Sequence, residues 1–372
     1  MAPADAMPEA GAVEIAPLTS IRGVAAVWIV AFHLFKNLSN HGIVLAPGTV
    51  AGRALSAGPF GVDIFFVLSG FILARTYRAL TVGGIPEFLF KRFARVYPLH
   101  LVILSLMVPG FFALGLLGRV PGDPEFFSYG VLPYHFTLTF AWFGHPVGWN
   151  SPAWSVSIEL LAYAVFPGLL LVGRRLPAPA RIVLAVLCVV ASVAILRFAG
   201  FENTGLGAIE RGLLGFTVGV LMQSLAPSGF TVLFVPSAAF AVLVALAILS
   251  DESIVLAPLA AAILIPALAG RGRDPVLAAL SAPAALWLGR ISYSVYLVHF
   301  PLLLAWMNLL RLPFFAAHGG LSVAVFVVSY LSVVLAASCA AYALIEAPAR
   351  TALRGWWRRR VARQAPASPV PI

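Results

Sequence analysis

Hydrophobic and polar positions divide the chain into long apolar runs separated by short polar segments. A helix needs about 20 apolar residues to cross the hydrocarbon core of a bilayer. The runs end at charged residues, glycine or proline, so we predict one membrane span for each. The predicted spans are 18–38, 58–79, 96–118, 152–173, 181–200, 208–225, 230–249, 254–269, 286–310 and 321–345. This pattern predicts an all-α integral membrane protein, a bundle of about ten transmembrane helices.

One stretch interrupts the pattern. Residues 120–150 are aromatic and are broken repeatedly by proline and glycine. Backbone that irregular cannot face lipid, because its polar groups would lack hydrogen-bond partners. We therefore predict an interfacial or re-entrant loop, with a further span only if a short helix at 127–142 crosses. The expected organisation is a disordered tail at 1–17, one transmembrane domain at 18–348 and a basic cytoplasmic tail at 349–372.

Composition agrees with a membrane protein. Hydrophobic residues make up 61% and charged residues 10% of the 372 positions, against about 25% charged in a soluble domain. A soluble chain of this length could not bury so much apolar surface, which excludes a cytosolic enzyme or a secreted scaffold. Cys188 and Cys339 each lie inside an apolar run, so neither a disulfide nor a metal site is expected. The first 17 residues contain no basic residue, so no cleavable signal peptide is expected.

The placement of charge predicts the orientation. The net charge is +10, and the basic residues cluster beside the apolar runs, as topology signals do and nucleic-acid surfaces do not. With the N-terminus in the cytoplasm, sixteen basic residues fall in inner segments and three in outer loops. Both termini are therefore predicted to be cytoplasmic, and the expected partner is a lipid bilayer rather than nucleic acid.

Polar residues inside the runs are the candidates for chemistry, since a charge at membrane depth costs at least about 2.5 kcal/mol. The first run holds Arg22 near its inner end and His33 in its outer half. Eleven residues are about three helical turns, so both project from nearly one face, about 16 Å apart. The alternatives are a packed, hydrogen-bonded histidine and an arginine that snorkels to the interface.

Two carboxylates are expected near the level of His33. Asp63 in the second run and Glu159 in the fourth both enter from the outer side. Asp63 is compatible with orienting His33 and raising its basicity, or with capping a helix or bonding to a neighbouring backbone. Ser155, Glu159 and Tyr163 form a polar stripe at spacings of four, either a helix–helix hydrogen-bond seam or part of a reaction site. Because His33, Asp63 and Glu159 are expected at one level, a reaction site is the favoured interpretation.

Further polar residues occur in the sixth and ninth runs. Ser292, Tyr296 and His299 share one face of the ninth run, and each is expected to bind substrate or to have a structural role. His299 is expected near mid-membrane, deeper than the first-run histidine, in a structural or cofactor-contact role. Arg211 lies at the outer end of the sixth run, where it is compatible with pairing with Glu210 or contacting an anionic acceptor.

Arginines cluster at the inner surface. Arg92 and Arg95 lie one turn apart at the start of the third run. Positive-inside charge alone explains them, but an i, i+3 arginine pair beside Arg22 also suits bidentate binding of phosphate. The sequence contains no glycine-rich phosphate loop, metal-ligand pattern or Gly-x-Ser-x-Gly nucleophile elbow.

Six motifs, in order, together resemble the acyltransferase-3 family of bacterial membrane-bound O-acyltransferases. They are Arg22-Gly23 with His33 ten residues on; Phe65-Phe-Val-Leu-Ser69-Gly70-Phe71; Arg92-x-x-Arg95-x-x-Pro98; Trp154-Ser-x-Ser157-x-Glu159-x-x-x-Tyr163; Ser292-Tyr-Ser-x-Tyr296-x-x-His299-x-Pro301; and Glu346-x-Pro348. Each motif alone is weak, but the ordered set is specific and spans almost the whole membrane domain. Ser69-Gly70 is interpreted as a close helix contact rather than as chemistry.

The resemblance implies a function and a location. Members of the family take an acyl group from cytoplasmic acyl-CoA and deliver it to a hydroxyl of cell-envelope sugars or of antibiotics such as macrolides. By resemblance, His33 is the catalytic histidine, and Arg22, Arg92 and Arg95 hold the coenzyme A phosphates in the bacterial inner membrane. Acyl-CoA, most commonly acetyl-CoA, is then a co-substrate rather than a permanently bound cofactor.

The resemblance also concerns domain content. Some relatives carry an extracytoplasmic hydrolase-like domain, whereas only about 25 residues follow the last predicted span here. Transfer is therefore expected to finish within the membrane domain or with a separate extracytoplasmic partner protein.

The resulting hypothesis is a polar shaft through the bundle. Acyl-CoA docks on the arginines, His33 acts as general base on a hydroxyl of a carbohydrate or glycosylated small molecule, and Glu159 or Asp63 orients His33 or binds the acceptor. Direct transfer and a transient acyl-enzyme both fit this hypothesis. The alternatives are a transporter of a small anionic or acylated metabolite and a non-catalytic membrane subunit. The halves 18–173 and 181–345 show no internal repeat, which disfavours the transporter.

Overall fold

The structure, a computed structural model, consists of helices joined by turns and loops, with no strand in the part of the chain that it describes. That part comprises residues 14–43, 48–116, 118, 124–198, 200, 202–225, 235–249, 256–270, 272–316 and 320–364. The α-helices there are α1 (Ala16–Asn40), α2 (Val50–Ser56), α3 (Phe60–Thr76), α4 (Ile85–Leu116), α5 (Leu132–Phe136), α6 (Ala153–Arg175), α7 (Ala178–Phe198), α8 (Gly205–Leu225), α9 (Val235–Leu249), α10 (Ala257–Leu268), α11 (Pro275–Leu280), α12 (Pro283–Met307), α13 (Pro313–Ala316), α14 (Gly320–Ala341) and α15 (Ala347–Gln364).

The predicted fold class, an all-α membrane bundle, is confirmed. Each predicted span contains a helix in its described part. Among the described helices, seven are long and apolar enough to cross a membrane, or eight if α2 and α3, bent by 46°, form one broken span. The described parts of α9 and α10 are shorter, 15 and 12 residues. The count of ten and the orientation of the termini stay predictions.

The structure describes the two predicted tails to different extents. Of the predicted tail at 1–17, residues 1–13 lie outside the described part. The predicted basic tail begins as a helix: a π-helical turn, Tyr342–Glu346, joins α14 to α15. Phe90 of α4 stacks on Trp357 of α15 with ring centroids 4.7 Å apart, so α15 lies beside the start of α4.

The described part of the 120–150 segment contains only short helical turns and α5, none long enough to cross a bilayer. Side-chain hydrogen bonds connect this segment to the helices of the bundle. His100 Nε2 of α4 donates to the carbonyl of His135 at 2.8 Å, and Trp142 Nε1 donates to the carbonyl of Ser157 at 2.8 Å. The segment therefore packs against α4 and α6.

Two helix contacts depend on glycine, and they set the relative heights of the helices. A Cβ added at Gly70 of α3 would overlap the carbonyl of Phe216 in α8, and one at Gly289 of α12 would overlap the carbonyl of Thr19 in α1. Small residues let backbones approach this closely in membrane bundles. The interpretation of Gly70 as a packing residue is confirmed.

The order of contacts gives the helix directions. Gly23 approaches Gly289, and further along both helices His33 meets His299, so α1 and α12 run parallel. Helix α3 runs the opposite way, since Gly58 lies against Phe32 and Gly61 lies against Ala25. Contacts of α8 with α3 and with α6 show that these three helices share one direction. We call the end of the bundle at which α1 and α12 begin the basic end, and the opposite end, which holds His33 and His299, the histidine end.

Candidate functional site

Two histidine rings meet at the histidine end. Nδ1 of His33 on α1 lies 3.1 Å from Nε2 of His299 on α12 and 3.0 Å from the carbonyl of Ile29. Nδ1 of His299 lies 3.2 Å from the carbonyl of Val295. His299 is fully buried, whereas His33 is half-buried.

The prediction that His299 lies deeper than His33 is wrong. The close contact of Gly23 with Gly289 aligns α1 and α12. Ten residues further on, both helices have risen by the same distance, about 15 Å. The two histidines are therefore at one level.

Asp63 contacts Arg211 rather than His33. Arg211 Nε lies 2.9 Å from Oδ1 of Asp63 and Arg211 Nη2 lies 2.5 Å from Oδ2, and both side chains are almost fully buried. The guanidinium also lies over the ring of Trp154, 5.8 Å from its centroid. A bidentate, charge-assisted pair is among the strongest side-chain interactions. The structure thus gives Asp63 a partner other than His33, and gives Arg211 a partner other than Glu210.

The polar stripe on α6 faces the interior. Ser155 Oγ lies 2.8 Å from the hydroxyl of Tyr296 on α12. Oε1 of Glu159 accepts hydrogen bonds from Ser69 Oγ on α3 at 3.0 Å and from Tyr163 at 2.5 Å. The stripe is therefore a hydrogen-bonded seam between α6, α3 and α12, as one of the two sequence interpretations predicted. Glu159 stays half-buried within it.

Glu159 belongs with the arginines. Arg22 interacts electrostatically with Arg95, Glu346 and Glu159, whereas His33 interacts with His299 and Lys36. The expectation of three ionisable groups at one level is therefore wrong. It assumed that all helices start at the same height, but the axial offsets of the helices decide which polar groups meet.

The arginines of the third run separate. Arg92 donates from Nη2 to the hydroxyl of Tyr77 at 3.0 Å and packs on the rings of Tyr77 and Phe88. Arg95 is half-buried and interacts electrostatically with Arg22. Arg22 Nη2 donates to the carbonyl of Gly289 at 3.3 Å. All three sequence-predicted arginines thus lie toward the basic end.

Ser292 has a backbone partner. Its hydroxyl donates to the carbonyl of Gly289 at 2.8 Å, the same carbonyl that Arg22 contacts. Ser292 is buried, and its described contact is within its own helix. This geometry fits the structural role left open for it.

Sequence reasoning assigned no role to two buried residues near Arg22 and Arg95, namely Glu346 and Tyr293. Glu346 lies in the π-helical turn after α14, accepts a hydrogen bond from Ser294 at 2.7 Å and lies 3.9 Å from Arg350. Tyr293 donates to the carbonyl of Val96 at 2.5 Å and interacts electrostatically with Glu346. Glu346 is a carboxylate at the end of an apolar run, so the criterion that selected Asp63 would also have found it.

The interior polar groups form a line between the two ends. From the histidine end it passes His299, Tyr296, Ser155 and Glu159 to the cluster of Arg22, Arg95, Glu159 and Glu346, which we call the arginine cluster. In the described part of the chain, no group of three or more His, Cys, Asp or Glu side chains could hold a metal. The arrangement offers a half-buried histidine at one end and two guanidinium groups beside two carboxylates at the other.

Comparison with known proteins agrees with the motifs. A family profile described as an acyltransferase domain matches residues 16–343. The acyltransferase MdmB of Streptomyces mycarofaciens is 31% identical over 189 residues, 48% of this chain and 46% of the relative. The exopolysaccharide production protein ExoZ of Rhizobium meliloti is 30% identical over 269 residues, 67% of this chain and 77% of the relative. Protein 2 in the picA locus of Rhizobium radiobacter is 36% identical over 166 residues, 40% of this chain and 78% of the relative.

The matches differ in extent. The aligned part spans less than half the length of MdmB, and no solved structure matches the chain. The family profile, by contrast, extends from α1 to the π-helical turn after α14 and includes all but the last of the six ordered motifs. The chain therefore belongs to the acyltransferase-3 family.

Proposed function

We propose that this chain is a membrane O-acyltransferase. It moves an acyl group, in the first place acetyl, from acyl-CoA to a hydroxyl of a carbohydrate or glycosylated small molecule. The observation that carries the proposal is the half-buried His33, joined by interior polar groups to the arginine cluster. The names of two relatives, an acyltransferase and an exopolysaccharide production protein, support the reaction and the acceptor class.

The arginine cluster suits an anionic donor. Arg22 and Arg95 are held close enough to repel each other, and an anion between two guanidinium groups relieves that repulsion through bidentate hydrogen bonds. Coenzyme A carries its phosphates at one end and its thioester at the end of a long flexible arm. Arg22 and His33 are about 16 Å apart along α1, so a donor of this shape is needed to reach both.

The reaction needs one base. The acceptor hydroxyl oxygen attacks the carbonyl carbon of the thioester while His33 takes the hydroxyl proton. The carbon–sulfur bond then breaks, and the coenzyme A thiolate leaves and is protonated by His33, which returns to its neutral form. General acid–base catalysis of this kind contributes about 10²–10⁴-fold to a rate.

The test measures acyl transfer by purified protein in lipid nanodiscs, with labelled acetyl-CoA and a mixture of oligosaccharide and macrolide acceptors. His33→Ala should lower transfer by about 100-fold or more, since the base is lost. His41→Ala is the matched control, because the His41 ring is exposed at the end of α1 and its described hydrogen bond is to the carbonyl of Asn37.

Two outcomes contradict the proposal. Full transfer by a normally expressed His33→Ala variant would remove His33 as the base. Uptake of substrate into vesicles without any acylated product would identify a transporter instead.

A further inference from the structure

We propose that His299 is a positioning residue that holds His33 in one tautomer, with the lone pair of His33 Nε2 free to act as the base. The role in catalysis rests on the proposed function, whereas the hydrogen-bond assignment stands on the geometry of the two rings. Neighbouring atoms that can only accept a hydrogen bond determine the tautomer of each ring.

A backbone carbonyl determines the tautomer of His299. Its Nδ1 lies 3.2 Å from the carbonyl oxygen of Val295. A carbonyl oxygen can only accept, so Nδ1 must carry the hydrogen. A neutral imidazole has a single N–H, which makes Nε2 of His299 an acceptor.

The tautomer of His33 follows. Its Nδ1 faces two acceptors, Nε2 of His299 at 3.1 Å and the carbonyl of Ile29 at 3.0 Å. Only a protonated Nδ1 satisfies both, through a shared hydrogen bond. The Nε2 of His33 is then unprotonated, which is the form that a general base requires.

His299 occupies the place that a carboxylate has in many catalytic triads. When His33 Nε2 accepts a proton, its Nδ1–H still points at a neutral nitrogen, so the imidazolium keeps its orientation and its partner. Asp63 does not supply this contact, because Arg211 holds both of its oxygens. The other charged group that interacts with His33 is Lys36 on α1.

The surroundings of His299 fix its ring. The side chain is fully buried on α12, its ring lies 6.0 Å from that of Tyr296, and Tyr330 of α14 donates to its carbonyl at 3.1 Å. A ring held in this way can orient its neighbour without touching substrate.

A spectroscopic test addresses the tautomer without using activity. In protein labelled with ¹⁵N-histidine in nanodiscs, the ring nitrogens report which atom is protonated, and the signals of His33 are those lost in His33→Ala. The expected wild-type signature is Nδ1–H. His299→Leu leaves the carbonyl of Ile29 as the described acceptor for His33 Nδ1–H, so the share of the Nδ1–H form should fall. His299→Gln, whose amide oxygen can accept from Nδ1–H, should retain more of that form.

Kinetics test the catalytic role. His299→Leu should lower kcat by about 100-fold with the KM for acetyl-CoA changed less than about two-fold, because the base is misaligned while the donor site is intact. His299→Gln should recover about ten-fold of that loss. His41→Leu is the control, since it removes an exposed imidazole whose described bond is to the carbonyl of Asn37 and leaves both site rings in place.

The outcomes separate the two claims. An Nε2–H signature for wild-type His33 overturns the assignment. An Nδ1–H signature that is the same in the wild type, in His299→Leu and in His299→Gln also overturns it. A loss confined to KM, or equal losses in His299→Leu and His299→Gln, overturns the positioning role. If the expected tautomer is found but no acyl transfer occurs, the proposed function fails and the hydrogen-bond assignment stands. Should His299→Leu fail to fold, the wild-type spectrum and His299→Gln still decide.

Discussion

At the residue scale, the pair of Asp63 and Arg211 shows that a buried charged side chain binds the nearest opposite charge, so Asp63 contacts Arg211 and not His33. Both are almost fully buried, and the guanidinium holds both carboxylate oxygens. The same carboxylate facing a neutral ring would leave one charge without compensation. The pair therefore belongs to the support of the histidine end rather than to the base itself.

Breaking this pair should be far more costly than breaking an exposed one. We expect Asp63→Asn to lower the free energy of unfolding by about 3–5 kcal/mol, because a buried guanidinium loses its counter-charge. The double variant Asp63→Leu/Arg211→Leu should recover much of the loss. Chemical unfolding in mild detergent measures both.

The control for this prediction is Lys91→Ala, which breaks the half-exposed pair with Glu87 at 2.9 Å. Pairs of that kind contribute about 1 kcal/mol or less. Equal losses in Asp63→Asn and Lys91→Ala would contradict the role given to the buried pair.

His135 lies in the 120–150 segment, outside the predicted spans, and should make the stability of the protein sensitive to acid. Burial lowers the pKa of His135 to about 4, and its Nε2 donates to the carbonyl of Pro146 at 3.0 Å. The unfolded chain binds the proton near pH 6.5, so stability should fall as the pH drops from about 6.5 to 4, by up to about 3 kcal/mol.

The measurement is Tm between pH 7 and 4.5 for the wild type and for His135→Gln. The variant lacks the group that titrates, so its Tm should decrease less over this range. Parallel curves would show that His135 is not the source of the acid sensitivity.

At the element scale, glycine contacts set the alignment on which the site depends. Gly289→Ala would place a methyl group against the backbone of Thr19, so α1 and α12 would have to separate. We expect a loss of about 1–3 kcal/mol in unfolding free energy. Acyl transfer should also fall, because His33 and His299 move apart.

Gly168→Ala in α6 is the matched control, since nothing lies within 4 Å of a Cβ added there. Alanine favours a helix over glycine by about 0.5–1 kcal/mol, so this variant should be neutral or more stable. Equal destabilisation of the two variants would refute a specific role for the α1–α12 contact.

Elements differ in how well the sequence predicts them. The described helices of membrane-spanning length overlap the predicted apolar runs, because run length is a property of consecutive residues. The start of α4 and the whole of α15 lie outside those runs. The spacing of four between Ser155 and Glu159 allowed two interpretations, a hydrogen-bonded seam between helices and part of a reaction site. The structure shows the hydrogen bonds of a seam. The levels of Glu159 and His299 were predicted wrongly, because depth was counted from the run ends, without the offsets between helices.

At the scale of the whole molecule, the proposed mechanism requires the two ends of the bundle to face different compartments. Arg174 donates to the carbonyls of Tyr77 and Leu80, which joins α6 to the end of α3 at the basic end. The charge pattern predicts that this end is cytoplasmic, the side from which acyl-CoA is available.

Cysteine labelling checks this orientation. In a background with Cys188→Ala and Cys339→Ala, Val82→Cys reports on the basic end and Leu206→Cys on the opposite end, where 71% and 74% of the respective native side chains are exposed. A membrane-impermeant maleimide should label only Leu206→Cys in intact spheroplasts and both variants after lysis. The reverse pattern would refute the predicted topology.

The sequence by itself determined the membrane class, the positions of the helices, the family and the residues worth testing, because hydrophobic runs and ordered motifs can be read from neighbouring residues. Only the tertiary structure decided which polar groups meet. His33 and His299 are 266 positions apart in the chain, and Asp63 and Arg211 are 148 apart. Their contacts follow from the height and rotation of whole helices, which close backbone contacts at Gly289 and Gly70 set far from the polar groups themselves.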